Sequence, residues 1–309
     1  MSMESARRTV ALLGPVPQDV QDALKDDFLF LPVKDWADLP AEARTDLRQG
    51  LTSAMGGASE ELLVQLPGLC RIASVGAGID RFDLDWLHDR GITLSPTPEV
   101  MTEDTADCAV ALLFASLRNI LPNDRLVRSG AWAGTRAPLG MRPSAARVGI
   151  IGLGRIGSRI ADKLSAFGCS IAYTGRKPKD VSWRFEPDLL ALARDCDVLI
   201  FSCAGGEETR HLVNAELLQA LGPDGYLINV SRGSVVDENA LIAALEERRI
   251  AGAALDVFEN EPTPDSRFLA LENCILSPHA AVYTRQNRVD LIARIREILQ
   301  APIPGGSSA

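Results

Sequence analysis

The segment Val148-Gly149-Ile150-Ile151-Gly152-Leu153-Gly154-Arg155-Ile156-Gly157 sets three glycines in the spacing GxGxxG directly after an apolar run. A helical stretch, Ser158 to Phe167, follows it. That spacing suits a dinucleotide. Gly152 permits the tight turn, Gly154 lets a pyrophosphate approach the backbone, and Gly157 allows the helix to pack closely on the strand. The N-terminus of that helix supplies unpaired N–H groups and positive potential for the anion, and Arg155 and Ile156, inside the glycine motif, join the cofactor-binding set. The flanking periodicity argues against a chance glycine cluster. At the end of the next strand, Ile171-Ala172-Tyr173-Thr174, a cofactor with a free ribose 2′-hydroxyl would call for Asp or Glu. The chain instead continues Gly175-Arg176-Lys177. A carboxylate there would repel a 2′-phosphate, whereas Arg176 offers a planar fork of donors and Lys177 a second positive charge. NADP is therefore expected over NAD, which stays possible as the weaker cofactor. The alternative is that Arg176 and Lys177 only form a solvated loop.

Proton transfer near neutral pH points to imidazole, and the chain holds three histidines. His88 reads as a helix-surface residue and His211 as the start of a helical segment. His279, in Ser277-Pro278-His279-Ala280-Ala281, directly follows the strand Cys274 to Leu276, and strand carboxyl ends are where ligands bind in such sheets. The same argument selects Arg232, in Asn229-Val230-Ser231-Arg232-Gly233, and Asp256, in Ala254-Leu255-Asp256-Val257-Phe258; Glu261 follows in Glu259-Asn260-Glu261-Pro262. Taken singly, each is a common solvated loop position.

The elements that must position these residues alternate short apolar segments with helical stretches, the pattern of βα units around a parallel sheet. Strands are expected at Thr9 to Leu13, Leu51 to Ala54, Arg71 to Val75 and Thr93 to Leu94, then a Pro-broken turn, Pro96 to Pro98, and a helix from Thr102 to about Leu117. A second series runs Arg147 to Ile151, Ser170 to Thr174, Asp197 to Ser202, Tyr226 to Val230, Gly252 to Val257 and Cys274 to Leu276. Its rhythm suits a doubly wound dinucleotide-binding sheet. A last helix, Arg285 to Gln300, is expected to return to the first lobe, leaving Pro302 to Ala309 as a flexible tail.

With 309 residues, 46% of them hydrophobic, the chain is long enough for two domains with separate cores. The net charge of −9 comes without any Lys/Arg run, which argues against nucleic-acid or membrane-surface partners. Cys70, Cys108, Cys169, Cys196, Cys203 and Cys274 lie in or beside apolar segments without CxxC or metal spacing, so buried reduced thiols are expected. The charged stretch from Met1 to Arg8 lacks the apolar core of a secretory signal, and a cytoplasmic protein is expected.

The order Gly152-x-Gly154-x-x-Gly157, Ser231-Arg232-Gly233, Asp256-Val257-Phe258-x-x-Glu261-Pro262 and Ser277-Pro278-His279 resembles the D-isomer-specific 2-hydroxyacid dehydrogenases. The likeness extends through Val75-Gly76-Ala77-Gly78-Ile79-Asp80 and covers nearly the whole chain. It implies an α/β fold of two Rossmann-like lobes. A doubly wound, parallel-sheet NADP-binding domain, 98–280, would be inserted into a smaller flavodoxin-like substrate domain, 1–97 plus 281–309. It implies hydride transfer from NADPH to a small 2-keto acid of the glyoxylate or hydroxypyruvate type, giving the D-2-hydroxy acid, with 2-ketogluconate a further candidate. Such a reduction needs a carboxylate anchor, a carbonyl polariser, a proton and a hydride held nearby. The resemblance gives Arg232 the carboxylate and carbonyl oxygen, with backbone N–H groups of Gly76, Ala77 and Gly78 completing the anion site from the other lobe. It gives His279 the general acid role in reduction, with Glu261 orienting it and stabilising the imidazolium. Asp256 would accept from the nicotinamide carboxamide, and Thr105, Thr174, Gly175 and Cys203 join the cofactor-binding set.

The sequence departs from the family pattern at Val282, where a small hydroxyl residue is expected after Ala281; Tyr283 either projects its hydroxyl toward substrate or packs beside the helix start. Trp132, in Ser129-Gly130-Ala131-Trp132, resembles a position that reaches into a partner subunit's pocket, with ordinary interface packing as the alternative. The stretch Arg125 to Trp132 resembles the dimer-forming region, so a homodimer is expected. From a different class, the family also includes dinucleotide-sensing corepressors, which bind cofactor without turnover.

Overall fold

The computed structural model describes residues 7–303. The expected tail from Pro302 therefore lies mostly outside the described residues, as does most of the charged segment before Arg8. The chain forms two compact units. One comprises the described residues up to Met101 together with those from Tyr283 onward; the other is Thr102–Val282.

The first unit holds a five-stranded parallel sheet: β1 (Arg8–Leu12), β2 (Phe28–Leu31), β3 (Gln49–Ser53), β4 (Arg71–Val75) and β5 (Thr93–Pro96). Their order is β2-β1-β3-β4-β5, the flavodoxin-like arrangement. β2 is the strand that periodicity did not predict, because Phe28-Leu29-Phe30-Leu31 does not alternate and is cut short by Pro32. The core is built from Leu13, Trp36, Leu63, Leu66, Ile72 and Leu87, with the Trp36 indole N–H donating to Leu12 O at 3.3 Å.

The helix Arg285–Gln300 packs within this unit, burying Leu291, Ile295, Ile298 and Leu299. Thr284 caps its first turn by accepting from Asn287 N at 3.0 Å. At its other end the buried Arg71 of β4 donates to the carbonyls of Ile298, Ala301 and Pro302 at 3.0, 2.9 and 2.6 Å. That guanidinium satisfies carbonyls the helix leaves unpaired and matches the negative end of its dipole.

The second unit holds a seven-stranded parallel sheet: β6 (Arg147–Ile151), β7 (Ser170–Thr174), β8 (Arg184–Phe185), β9 (Val198–Phe201), β10 (Tyr226–Asn229), β11 (Gly252–Leu255) and β12 (Cys274–Leu276). Their order, β12-β11-β10-β9-β6-β7-β8, reverses between β6 and β9, which makes that point the switch of a doubly wound sheet. Six of these strands were expected; the seventh, β8, has two residues, too few to leave a pattern. Alternate side chains feed two cores. Val148, Ile150, Val198, Ile200 and Ile228 face Ala109, Leu113, Ile160 and Leu164. Ile151, Leu199, Phe201, Leu227 and Leu255 face Leu192, Leu217, Leu218, Leu241 and Leu245. Strands buried on both faces explain why their sequences read as continuous apolar runs.

The long helix Pro98–Leu117 begins four residues before the expected Thr102. Proline at the first helical position lacks an N–H that the helix would leave unpaired anyway, so Pro98 opens the helix. Among the described residues no single helix is long and apolar enough to cross a membrane.

Candidate active site

One cross-sheet row organises the second unit. Thr174 pairs with Ile151, Ile151 with Phe201, Phe201 with Asn229, Asn229 with Leu255, and Leu255 with Leu276. The segments singled out from the sequence in this unit, apart from Thr105 and Trp132, follow this row. Gly152 comes after β6, Gly175–Lys177 after β7, Cys203 after β9, Arg232 after β10, Asp256 and Glu261 after β11, and His279 after β12. Parallel pairing puts all of them at one edge.

The glycine turn fits a dinucleotide. Gly152 has φ of 93°, and a Cβ there would stand 2.6 Å from Cys203 Cα. A Cβ on Gly157 would stand 2.2 Å from the Gly152 carbonyl oxygen. At Gly154, by contrast, a Cβ would meet nothing within 4 Å, and Gly154 is exposed at the N-terminus of the helix Arg155–Ala166 without a side-chain cap. An open glycine before uncapped N–H groups is what a pyrophosphate requires. Thr174 is buried, its carbonyl accepting from Gly152 N at 3.0 Å. Gly175, Arg176 and Lys177 are exposed. Lys179, which sequence reading passed over, returns from this loop to donate its Nζ to the Leu153 carbonyl, while Lys179 N donates to the buried Tyr173 hydroxyl at 2.7 Å. Only the fold of the loop brings that third cation to the glycine turn. Cys203 is half-buried; burial pushes its thiol up, against hydrogen bonds from its own backbone and Ser231. Thr105 is buried in the long helix.

At the far side of the row, His279 Nδ1 lies 2.8 Å from Glu261 Oε2. Glu261 Oε1 accepts from Phe258 N at 3.0 Å. Burial alone would push this carboxyl up, but the His279 hydrogen bond, the Phe258 N–H and the nearby charges of His279 and Arg232 outweigh it and hold Glu261 below the usual glutamate value. Glu261 is thus ionised, fixes one imidazole nitrogen and leaves Nε2 for a reacting group. Arg232 is half-buried and donates Nη1 to Ser231 O at 2.8 Å.

Asp256 does more than the sequence suggested. It is 1% exposed, and it accepts from Ser277 Oγ at 2.5 Å, Ala280 N at 2.9 Å and Ala281 N at 3.1 Å. Together with the His279 N–H donated to Asp256 O at 2.7 Å, these bonds hold the turn in which His279 adopts φ of 52°. That non-glycine left-handed conformation persists because the Asp256 bonds over-determine it. No periodicity announces such a clamp.

In the first unit, the loop after β4 carries Gly76, Ala77 and Gly78. Gly76 N donates to Thr97 Oγ1 at 2.9 Å, and Thr97 N donates back to Gly76 O at 2.9 Å. The N–H of Gly76 is thereby committed, and of the expected trio Ala77 and Gly78 are left for an anion. Tyr283 is exposed, as is Trp132 in the second unit. His211 has φ of 51° and faces Glu259 at 3.4 Å, apart from the His279–Glu261 pair. A cavity of about 660 Å³, lined by Leu121, Arg125, Leu139, Tyr226, Ile250 and Cys274 among others, opens at the opposite, amino-terminal edge of β10–β12 and touches none of the expected site residues.

A doubly wound sheet with this glycine turn, and an Arg, Glu and His set on the same edge, defines an NAD(P)-dependent oxidoreductase. Comparison with known proteins agrees. The family model described as D-isomer specific 2-hydroxyacid dehydrogenase, NAD binding domain, matches residues 110–281. The chain is 40% identical over 289 residues to 2-ketogluconate reductase of Gluconobacter oxydans, covering 93% of both chains. It is 43% identical over 253 residues to a glyoxylate/hydroxypyruvate reductase of Arabidopsis thaliana, covering 81% of both. Among solved structures, the NADPH-dependent glyoxylate/hydroxypyruvate reductase of Sinorhizobium meliloti, in complex with NADP and malonate, superposes with a TM-score of 0.88 at 37% identity, covering 98% of this chain and 96% of that one. The chain belongs to the D-isomer specific 2-hydroxyacid dehydrogenase family.

Proposed function

We propose that this protein is an NADPH-preferring reductase of small 2-keto acids, with glyoxylate and hydroxypyruvate as first candidates and 2-ketogluconate next. The observation that carries the reading is the His279–Glu261 pair at 2.8 Å, with Arg232 close enough to lower the Glu261 carboxyl further. In reduction, Arg232 binds the substrate carboxylate and polarises its carbonyl. His279 holds a proton on Nε2 and gives it to the carbonyl oxygen as negative charge develops there. Glu261 keeps the imidazole oriented through its contact with Nδ1. NADPH, when bound, supplies the hydride. Arg176 and Lys177 engage its 2′-phosphate, and Lys179 adds positive potential beside them. Asp256, besides clamping the His279 turn, accepts from the carboxamide. Relatives named as reductases, NADPH-dependent in the Sinorhizobium meliloti case, favour turnover over a dinucleotide-sensing role.

The quaternary reading is a homodimer. Ile120, Val127, Trp132 and Leu139 are exposed on the segment from 120 to 139, with Leu139 fully so. Apolar side chains clustered on one stretch mark an interaction surface. Trp132 would serve there as an anchor that either reaches the partner's substrate or packs the interface. A cytoplasmic location belongs to the same reading.

Initial rates with glyoxylate, hydroxypyruvate, pyruvate, 2-ketogluconate and an aromatic keto acid, each with NADPH and NADH, test the proposal. Saturable NADPH oxidation by at least one small keto acid is expected, with Arg176→Ala raising the KM for NADPH about ten- to a hundredfold and that for NADH little, the worth of a charge-assisted fork. Equal losses for both cofactors would remove the 2′-phosphate argument.

A further inference from the structure

Glu238 stands at the first position of the helix Glu238–Glu246, where a carboxylate normally faces solvent beside the helix N-terminus. Here it is 7% exposed, and that helix is already capped by Asp237, which accepts from Ala240 N at 3.1 Å. Glu238 therefore does not serve as the cap. Its Oε1 instead accepts from Glu259 N at 2.8 Å, a residue 21 positions along the chain.

The neighbouring N–H, that of Phe258, is the one held by Glu261 Oε1 at 3.0 Å. Two carboxylates thus grip consecutive amides of one turn, and the second of them carries His279 on its other oxygen at 2.8 Å. The Phe258–Glu259 peptide also meets the Arg232 segment: a Cβ on Gly233 would stand 1.9 Å from Phe258 C and 2.3 Å from Glu259 N, so the two backbones are in direct contact. Nothing at that contact can shift without moving Gly233, its neighbour Arg232, or the turn that ends in Glu261. Burial pushes the Glu238 carboxyl up, and the charges of Glu259 and Asp265 push it further, against the Glu259 N–H and Arg267. A buried acid kept at such a cost, with a capping residue already beside it, points to a role beyond helix stability.

We propose that Glu238 is a positioning residue for the reductase reaction: by fixing the Glu259 amide it sets the Phe258–Glu261 turn against the Arg232 segment, and so sets the aim of the Glu261–His279 pair. This rests on the reading of His279 as the proton donor. Loss of the acceptor leaves the part-buried Glu259 N–H without this partner and frees the turn, and misplacement of a catalytic group by about 1 Å can cost about a hundredfold in rate.

The test compares wild type with Glu238→Gln, which keeps shape and an acceptor oxygen, and Glu238→Met, which keeps bulk without one. Two readouts are taken: steady-state kinetics with NADPH and the best keto acid, and the downfield proton resonance of the His279 Nδ1–H···Glu261 bond, which needs no turnover. In Glu238→Met we expect kcat to fall on the order of ten- to a hundredfold, NADPH affinity to stay within about twofold, and the downfield proton to broaden or vanish. Glu238→Gln should restore most of kcat and the resonance. Wild-type kcat and resonance in Glu238→Met, or equal losses in both variants, would overturn the proposal. If Glu238→Met fails to fold, reading Glu238→Gln against Glu238→Asp, which shortens the reach, decides the matter in the same way. His279→Ala, measured alongside, separates the two ideas: its turnover at the wild-type rate would sink the proton-donor reading whatever Glu238 does.

Discussion

At the scale of single residues, the site is a set of charges held by backbone. Glu261 lies below the usual glutamate value because the His279 hydrogen bond, the Phe258 N–H and two nearby positive groups overcome its burial. A carboxyl whose folded value is depressed contributes stability that is present above its unfolded value and is lost as pH falls through the folded one. Wild type is therefore expected to be more stable than Glu261→Gln at neutral pH by about 1–3 kcal/mol. The gap should close as pH drops below about 4, where the unfolded-state carboxyl is protonated. Thermal melts of both proteins from pH 7 downward check this, and a gap independent of pH would contradict the assignment. Residue type and place made Arg232 and His279 legible in the sequence, because each closely follows the end of an apolar strand, whereas Glu261, further past β11, drew its role from the resemblance. The backbone grips were not legible: Asp256 on Ala280 and Ala281, Thr97 on Gly76, and Glu238 on Glu259 join positions 21 to 25 apart through backbone amides, which carry no sequence signature.

Among the elements, those that bind phosphate and those that pack a core leave different traces. β4, β6, β7, β12 and the helix Arg285–Gln300 fall where their apolar runs and flanking turns place them. β2 and β8 do not, one too uniform and one too short for periodicity to register. The helix start at Pro98 misleads because proline breaks a helix interior and suits a first turn equally well. The glycine turn makes the sharpest prediction here. Gly154→Ala adds a methyl into open space, so its melting temperature should match wild type while NADPH affinity falls at least about tenfold, 1.4 kcal/mol or more. Gly157→Ala drives a Cβ to 2.2 Å from the Gly152 carbonyl and should destabilise the second unit itself. Calorimetry with and without NADPH distinguishes the two; a Gly154→Ala protein that binds normally would show that the pyrophosphate does not cross that turn.

For the whole molecule, the spacing of the apolar runs announces βα units, and parallel pairing brings six strand ends of the second unit to one row. The proposed dimer rests on less, the exposed side chains of Ile120, Val127, Trp132 and Leu139. The dimer reading predicts a solution mass near twice the 33.2 kDa of the chain. Trp132→Ala together with Leu139→Ser should shift that mass toward the monomer on dilution, measured by light scattering after size exclusion. A wild-type monomer at all concentrations would dismiss both the dimer and the inter-subunit role of Trp132.

The central claim is that His279, aimed by Glu261, delivers the proton in keto-acid reduction, and His279→Ala tests it most directly. NADPH affinity by fluorescence should remain within about twofold of wild type while kcat on the preferred keto acid falls by two to four orders of magnitude, the contribution typical of a positioned acid. A His279→Ala enzyme that binds NADPH and turns over at the wild-type rate would contradict the account.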